Sequence, residues 1–245
     1  MVRNVKQHLL FIKLYSKWLK YYFIFYFILY KMNNPGGCNK EIELLQAGYS
    51  SPPATDEVRV LENFVTPEQC TYLINKFGSK CEQSKVVNPA NGQAAESQTK
   101  WRTSTSAYMN QSDEDEVVIE ITKKVARLCN LPTSHVEILQ LVRYETGQQY
   151  TPHHDYFEPN FKGQNRIFTM LIYLTDLEHG EGGRTIFPEL GVEVVPKACS
   201  CVFWRNCLDD GTLLPNTLHT GEALSSPDKI KFAINCWVRN GTVMY

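Results

Sequence analysis

No sign of charge dominates this chain: 25 Lys and Arg stand against 26 Asp and Glu in 245 residues. With a pI near 6.6 it offers none of the basic excess on which binding to a phosphate backbone depends, so nucleic acid is not an expected partner. No Cys-x-x-Cys pair occurs among its eight cysteines, Cys38, Cys70, Cys81, Cys129, Cys199, Cys201, Cys207 and Cys236, which argues against a structural zinc site of the usual spacing. There is no internal repeat and no low-complexity tract. A clean apolar run of the ~20 residues that cross a bilayer is also missing; the best stretch, Tyr21 to Tyr30, reaches half of that. What is present is apolar material for one sizeable core, 43% of all residues, and domains of roughly 200 residues commonly form a single unit.

Residues 1–32 stand apart from the rest. Leu9 to Tyr30 is rich in Leu, Ile, Phe and Tyr and is interrupted by Lys13, Lys17 and Lys20. Lysines near the end of an apolar segment can snorkel, so Leu14 to Tyr30 reads as an uncleaved signal anchor, with no small-residue cleavage site behind it. Arg3, Lys6 and the three lysines precede it and would hold the N-terminus in the cytoplasm, placing the remainder in the lumen of the endoplasmic reticulum. An amphipathic surface helix or a disordered leader on a soluble cytoplasmic protein is the other reading. Asn33-Asn34-Pro35-Gly36-Gly37 breaks the pattern, and 33–55, with Ser50-Ser51-Pro52-Pro53, reads as a linker. The globular domain is expected over 56–245.

Local signals within that domain predict helices first and strands after. Val58 to Leu61 reads as a first strand. Thr66-Pro67-Glu68-Gln69 has the form of a capping box with proline at the first helical position; Leu73, Ile74 and Phe77 would face the core, and Gly78 would end the helix. Ser112, followed by four acidic residues, is expected to cap a second helix with an apolar stripe of Val117, Ile121, Val125 and Leu128. Asn88 to Lys100 reads as a hairpin loop or a lid. Ile138 to Tyr144, Ile167 to Thr175, Val192 to Val195, Cys201 to Arg205 and Ile230 to Val238 are short β-branched or aromatic runs separated by turn residues. Two early helices on about eight strands predict an α+β domain with a double-stranded β-helix, or jelly-roll, core. Cys199-Ser200-Cys201 falls in a strand-like stretch, where alternation would put both thiols on one face. Free thiols are the first reading of the cysteines and lumenal disulfides the second; no pairing follows from the sequence.

Chemistry concentrates in the strand-rich half. His153-His154-Asp155, a distant Leu218-His219 and Lys231-Phe232-Ala233 occur there together. His-x-Asp with a remote histidine has the form of the two-histidine, one-carboxylate triad, which holds Fe(II) by one face and leaves the other positions open. Alone the pattern is weak. It gains weight because the chain from Asp56 onward resembles the prolyl 4-hydroxylase family of Fe(II)/2-oxoglutarate dioxygenases in several linked segments. These are Leu141 to Phe157 around the first two ligands, Arg166 to Thr175, Gly180-Glu181-Gly182-Gly183-Arg184-Thr185-Ile186-Phe187-Pro188, Leu218-His219, and Lys231 to Trp237.

The resemblance implies roles for particular residues. His153, Asp155 and His219 would ligate iron, and Lys231 would pair with the distal carboxylate of 2-oxoglutarate. Tyr144 and Thr185 would hydrogen-bond the same co-substrate. Tyr150, Arg166 and Trp237 are similar to residues that line the peptide groove, and Arg102 resembles one at the substrate-side edge beside the Asn88 to Lys100 loop. In many relatives the lysine stands ten positions beyond the second histidine, which selects Lys229 here; Phe232 and Trp237 favour Lys231 at the cost of a two-residue insertion. The implied activity is hydroxylation of proline at C4 in a peptide, with Fe(II) and L-ascorbate as cofactors, 2-oxoglutarate and O2 as co-substrates, and succinate and CO2 as by-products. Asp155 leaves no position for halide, which disfavours halogenation. A dioxygenase acting on another residue or a small molecule is the second hypothesis, and a catalytically silent module the third. His154 is expected to point away from the metal, Cys207, Asp209 and Asp210 to form a turn, and Phe203-Trp204 to be core.

Overall fold

Alternating side chains on antiparallel strands shape this domain. The computed structural model describes residues 52–87, 94–95, 101–110, 115–157 and 163–243. In chain order these form β1 (Val58–Leu61), α1 (Pro67–Phe77), β2 (Glu82–Gln83), β3 (Val86–Val87), β4 (Ala94–Ala95), β5 (Thr105–Met109), α2 (Glu116–Leu128), β6 (Leu139–Tyr144) and β7 (Tyr150–His153). β8 (Arg166–Tyr173), β9 (Thr185–Phe187), β10 (Val192–Val194), β11 (Cys201–Arg205), β12 (His219–Gly221) and β13 (Lys231–Arg239) follow. One sheet runs β1-β11-β8-β13-β6-β5-β2 and a second β10-β9-β12-β7, with antiparallel pairing throughout both. Two such sheets enclosing one core are the expected jelly roll on an α+β domain.

The central strands read as nearly continuous apolar runs because both their faces are covered. Val142, Tyr144, Leu171, Tyr173, Val202, Trp204 and Ala233 meet Phe187 and Val194 of the smaller sheet in one cluster. The alternate residues Leu141, Met170, Ile172, Phe203, Ile234 and Cys236 are buried as well. On that side the Cys201 and Cys236 thiols come close to Cys129, which caps the end of α2.

The local signals are realised in α1. Thr66 Oγ1 accepts from the Gln69 backbone N–H, the Gln69 side chain accepts from the Thr66 N–H, and Leu73 and Phe77 are buried. Ile74 is only half-buried. The helix stops at Gly78 without a left-handed cap: φ is −60° and a 3-10 turn, Gly78–Lys80, continues the chain.

Two expectations need correction. Asp115, not Ser112, caps α2, its carboxylate accepting from the Val117 and Val118 N–H groups while Tyr72 and Lys76 of α1 donate to its other oxygen. Ser112 itself lies outside the described residues. The cap moves the buried stripe to Val118, Ile121, Thr122, Val125 and Ala126, and Val117 and Leu128 are left half-buried. The second correction is Cys199, which sits in a turn with φ +68° before β11 and so does not share a strand face with Cys201. β3 and β4 pair as a hairpin; the rest of Asn88 to Lys100, like the expected anchor over 1–32 and most of the linker, lies outside the described residues. Among those residues no helix is long and apolar enough to cross a membrane.

Candidate metal centre

Two short strands deliver the histidines. β7 and β12 pair antiparallel with His153 directly opposite His219, and the ring centroids lie 4.3 Å apart. Asp155 follows just beyond the end of β7 and is buried. His153 Nδ1 is 2.8 Å from the Thr151 carbonyl oxygen and His219 Nδ1 is 2.9 Å from that of Thr217. Each carbonyl can only accept, so each Nδ1 carries the proton and each Nε2 presents a lone pair. Those Nε2 atoms lie 3.8 Å from Asp155 Oδ1 (His153) and 3.8 Å from Oδ2 (His219), too far to hydrogen-bond. One ligand atom from each of the three residues falls within 4.8 Å of the others.

Protonation states agree with a cation site. Burial, and then the neighbouring His219, push His153 well below its ordinary value, so its ring is neutral. Burial alone would raise the Asp155 carboxyl, yet the two imidazoles, the Arg166 guanidinium and the Thr169 hydroxyl bring it down to about 2. Two imidazoles, each turned by its Nδ1 bond, and one carboxylate, open to a cleft on the remaining side, fit Fe(II) with free coordination positions.

The cleft holds about 450 Å³ including its mouth. Lys231, Ala233, Asn235 and Trp237, every second residue of β13, line its wall together with Tyr144, Tyr150, Thr185 and Trp204. Lys231 stands opposite Tyr144 on β6, is 3% exposed, and donates from Nζ to the Gly183 carbonyl at 2.6 Å. Burial pulls its ammonium down to about 7 against the pull of Glu222. Lys229 lies before the strand on the surface, 3.9 Å from Glu181, and does not reach the cleft wall. The Lys231 acceptor depends on glycine: Gly182 and Gly183 have φ +72° and +71°, and a Cβ on Gly182 would come within 2.2 Å of the Ala223 carbonyl oxygen. Thr185 Oγ1 accepts from the Tyr173 hydroxyl at 2.6 Å, a partner that the sequence reading did not single out.

Tyr150 stacks on His153 at 3.5 Å between centroids, and burial pushes its phenol up to about 12. Arg166 gives both oxygens of Glu137 a hydrogen bond, at 2.6 and 2.8 Å. Its guanidinium lies 3.7 Å over the Trp237 ring and 4.9 Å from Phe157. Trp237 Nε1 is buried with no hydrogen-bond partner among the described residues. Arg102 is 3% exposed; it bridges Tyr150 across the strands, lies 4.9 Å from the Tyr150 ring, and donates to Gln140, Ser104 and the Lys85 carbonyl.

His154 is not part of the triad. The Cys207 to Leu213 segment is a turn, closed by Gly211 N–H to Leu208 and Leu208 N–H to Thr212. Trp204 is core, and it also lines the cleft, edge-on to His219 at 4.9 Å.

Comparison with known proteins agrees with this geometry. The 2OG-Fe(II) oxygenase superfamily matches residues 139–239, the span holding the triad and Lys231. "Probable prolyl 4-hydroxylase 10" of Arabidopsis thaliana is 34% identical over 202 residues, 74% of this chain and 68% of the relative. "Prolyl 4-hydroxylase 1" of the same plant is 33% identical over 223 residues, 82% and 76% of the two chains. Among solved structures, the viral collagen prolyl hydroxylase of Paramecium bursaria Chlorella virus-1, in its 2OG complex, superposes with a TM-score of 0.59 at 26% identity, covering 74% of this chain and 95% of the other. By sequence, fold and donor set, the chain belongs to the prolyl 4-hydroxylase family of Fe(II)/2-oxoglutarate-dependent oxygenases.

Proposed function

We propose that the protein hydroxylates proline at C4 within peptides, with Fe(II) held by His153, Asp155 and His219. One observation carries this reading: a buried ammonium, Lys231, and the His-Asp-His donor set line the same cleft. Bound Fe(II) supplies the redox chemistry that couples O2 and 2-oxoglutarate to oxidation of a C–H bond.

The chain's own residues do the rest. Lys231 meets the distal carboxylate of 2-oxoglutarate, whose burial without a cation would be costly, and Tyr144 and Thr185 fix the co-substrate by hydrogen bonds. The neutral His153 and the ionised Asp155 keep their lone pairs toward the metal. Tyr150, Trp237 and the Glu137-held Arg166 form an aromatic and cationic wall for a proline-containing peptide. Apolar walls limit water around the reacting carbon.

The test is 2-oxoglutarate turnover by the protein with Fe(II), L-ascorbate and a panel of proline-rich peptides, followed by mass spectrometry. One added oxygen on proline, absent with His153→Ala and His219→Ala, supports the reading. Decarboxylation without peptide oxidation would replace proline by another substrate. The proposal also sets the catalytic domain in the lumen of the endoplasmic reticulum behind a signal anchor over 1–32, on the basic-then-apolar order of those residues. Protease digestion of the domain in sealed microsomes would overturn that part and favour a soluble cytoplasmic protein.

A further inference from the structure

A file of buried hydrogen bonds runs from the sheet to the metal-facing carboxylate. The Trp204 indole Nε1 donates to Asn206 Oδ1 at 2.9 Å. Asn206 Nδ2 donates to Thr169 Oγ1 at 2.9 Å, and Thr169 Oγ1 donates to Asp155 Oδ2 at 2.8 Å. Trp204, Asn206 and Thr169 are each 1% exposed, so water does not compete for these groups. The backbone holds them in place: Trp204 and Thr169 are directly opposed between β11 and β8, the Asn206 N–H donates to the Ile167 carbonyl, and the Asn206 carbonyl accepts from Leu214.

Chemistry fixes the direction of every bond in this file. An indole N–H can only donate, so it selects the oxygen end of the Asn206 carboxamide and turns the NH2 end toward Thr169. That NH2 occupies a lone pair of the Thr169 hydroxyl. The hydroxyl's single proton then has one receiver, the Asp155 carboxylate, which when ionised can only accept. A donor-only group at one end and an acceptor-only group at the other thus polarise the whole file, and bonds aligned in this way reinforce one another. Trp204 also meets His219, in a T-shaped contact with ring centroids 4.9 Å apart.

We infer that Thr169 and Asn206 are positioning residues that lock the Asp155 carboxylate, tying Oδ2 to the sheet and presenting the carboxylate to the metal in one orientation. The inference rests on the metal reading proposed above, and deepens it by naming what holds a ligand still before the metal arrives. Outer partners of this kind usually govern metal affinity by about 10–100-fold.

Mn(II), which is redox-inert here, is the probe, titrated calorimetrically into the metal-free protein with no co-substrate. Thr169→Val keeps the shape of the side chain and removes the proton, and is expected to weaken Mn(II) binding by about 10–100-fold. Thr169→Ser restores the hydroxyl and is expected to restore the binding. Asn206→Asp keeps its bond from Trp204 but loses the N–H; its new carboxylate competes for the Thr169 proton, so a loss in the same range is expected even if Thr169→Val fails to fold. Melting of the metal-free variants separates stability from positioning. Wild-type Mn(II) affinity in folded Thr169→Val or in Asn206→Asp overturns the inference. A wild-type protein that binds no Mn(II), or binds it unchanged after His153→Ala, overturns the metal reading itself and is recognisable as such.

Discussion

Lys231 offers the sharpest test of the co-substrate end, because its charge is conditional. Its ammonium is buried between the Tyr144 and Tyr173 rings, 5.3 and 5.4 Å from their centroids, with Glu222 the acidic group that acts on it. Burial lowers it from 10.5 to about 7, so below pH 7 the free protein presents a cation and above it increasingly a neutral amine. A bound dicarboxylate needs the cation, and its own charge drives the lysine back toward an ordinary value. Binding above pH 7 must therefore take up a proton. By linkage, affinity for 2-oxoglutarate should be flat below pH 7 and fall about tenfold per pH unit above it, roughly 1.4 kcal/mol per unit. Between pH 7 and 9 the loss is about 50-fold, because half of the lysine is already neutral at pH 7. Calorimetry with the Mn(II)-loaded protein, in buffers of different ionisation enthalpy, reads both the slope and the proton. Lys231→Arg keeps its charge across this range and should flatten the profile; Lys229→Met should leave it unaltered. A wild-type affinity that holds steady from pH 7 to 9 with no proton uptake would refute the reasoning.

Other consequences are equally measurable. Glu137 carries hydrogen bonds from both Arg166 and Arg239. Burial raises its carboxyl, but the two guanidinium groups outweigh that and leave it below 4.5. Its contribution is thus present above pH 4.5 and lost as the pH falls through the lowered value, and Glu137→Gln should cost about 3–5 kcal/mol in urea unfolding at neutral pH while blunting the acid limb. Thr66→Ala removes the capping-box acceptor of α1 and should cost about 1 kcal/mol, a fall of roughly 2–4 °C in Tm. Gly182→Ala meets both a positive φ and the Ala223 carbonyl, so it should lose at least about 1–2 kcal/mol in stability and weaken 2-oxoglutarate binding through the adjacent Gly183 carbonyl. The Cys70 and Cys199 sulfurs lie 3.7 Å apart, so diamide should join them with loss of two hydrogens, and peptide mapping would show the link. Because burial and the Cys199 neighbour push the Cys70 thiol up to about 12, this reaction should be slow at neutral pH and quicken as the pH rises.

How much of this was readable beforehand depends on how local each cause is. The α1 start needed only Thr66, Pro67 and Gln69, three neighbours whose reciprocal bonds form within one turn, and it stands as read. The α2 start could not be settled that way, since Ser112 and Asp115 are both good N-caps; Lys76 and Tyr72, donated by another helix, are what commit Asp115. Strands β9 and β12, three residues each, exist because partners flank them, and nothing in so short a run announces them. Lys229 and Lys231 share strand parity, so alternation was silent; β13 begins at Lys231, which leaves Lys229 outside. Thr169 reads as one more β-branched residue in an apolar strand, and its donor Asn206 stands 37 positions away, beyond any spacing argument. The triad and its neighbours were legible through the family resemblance of several linked segments, and the structure brings those segments to one cleft.

That cleft owes its two ends to the pleat of β13. Lys231 and Trp237 project from the same face six residues apart, which at about 3.4 Å per residue separates them by roughly 20 Å. A dicarboxylate held at Lys231 and a peptide held at Trp237 can therefore approach the triad from opposite sides without contending for space. Arg166 joins the Trp237 end only through an irregularity. Phe168 pairs with Val238 while Arg166 pairs with Arg239, so Ile167 is an extra residue on β8. Thr169, Leu171 and Tyr173 share the cleft face, and regular alternation would send Arg166 to the other side. A one-residue bulge reverses side-chain facing beyond it, and brings the guanidinium over Trp237. Its bidentate bond to Glu137 then keeps a planar cation at the Trp237 end of the face, while the chargeable Lys231 amine stays at the other. Two cations of different kind, one permanent and one conditional on its partner, are thereby set at opposite ends of a single face.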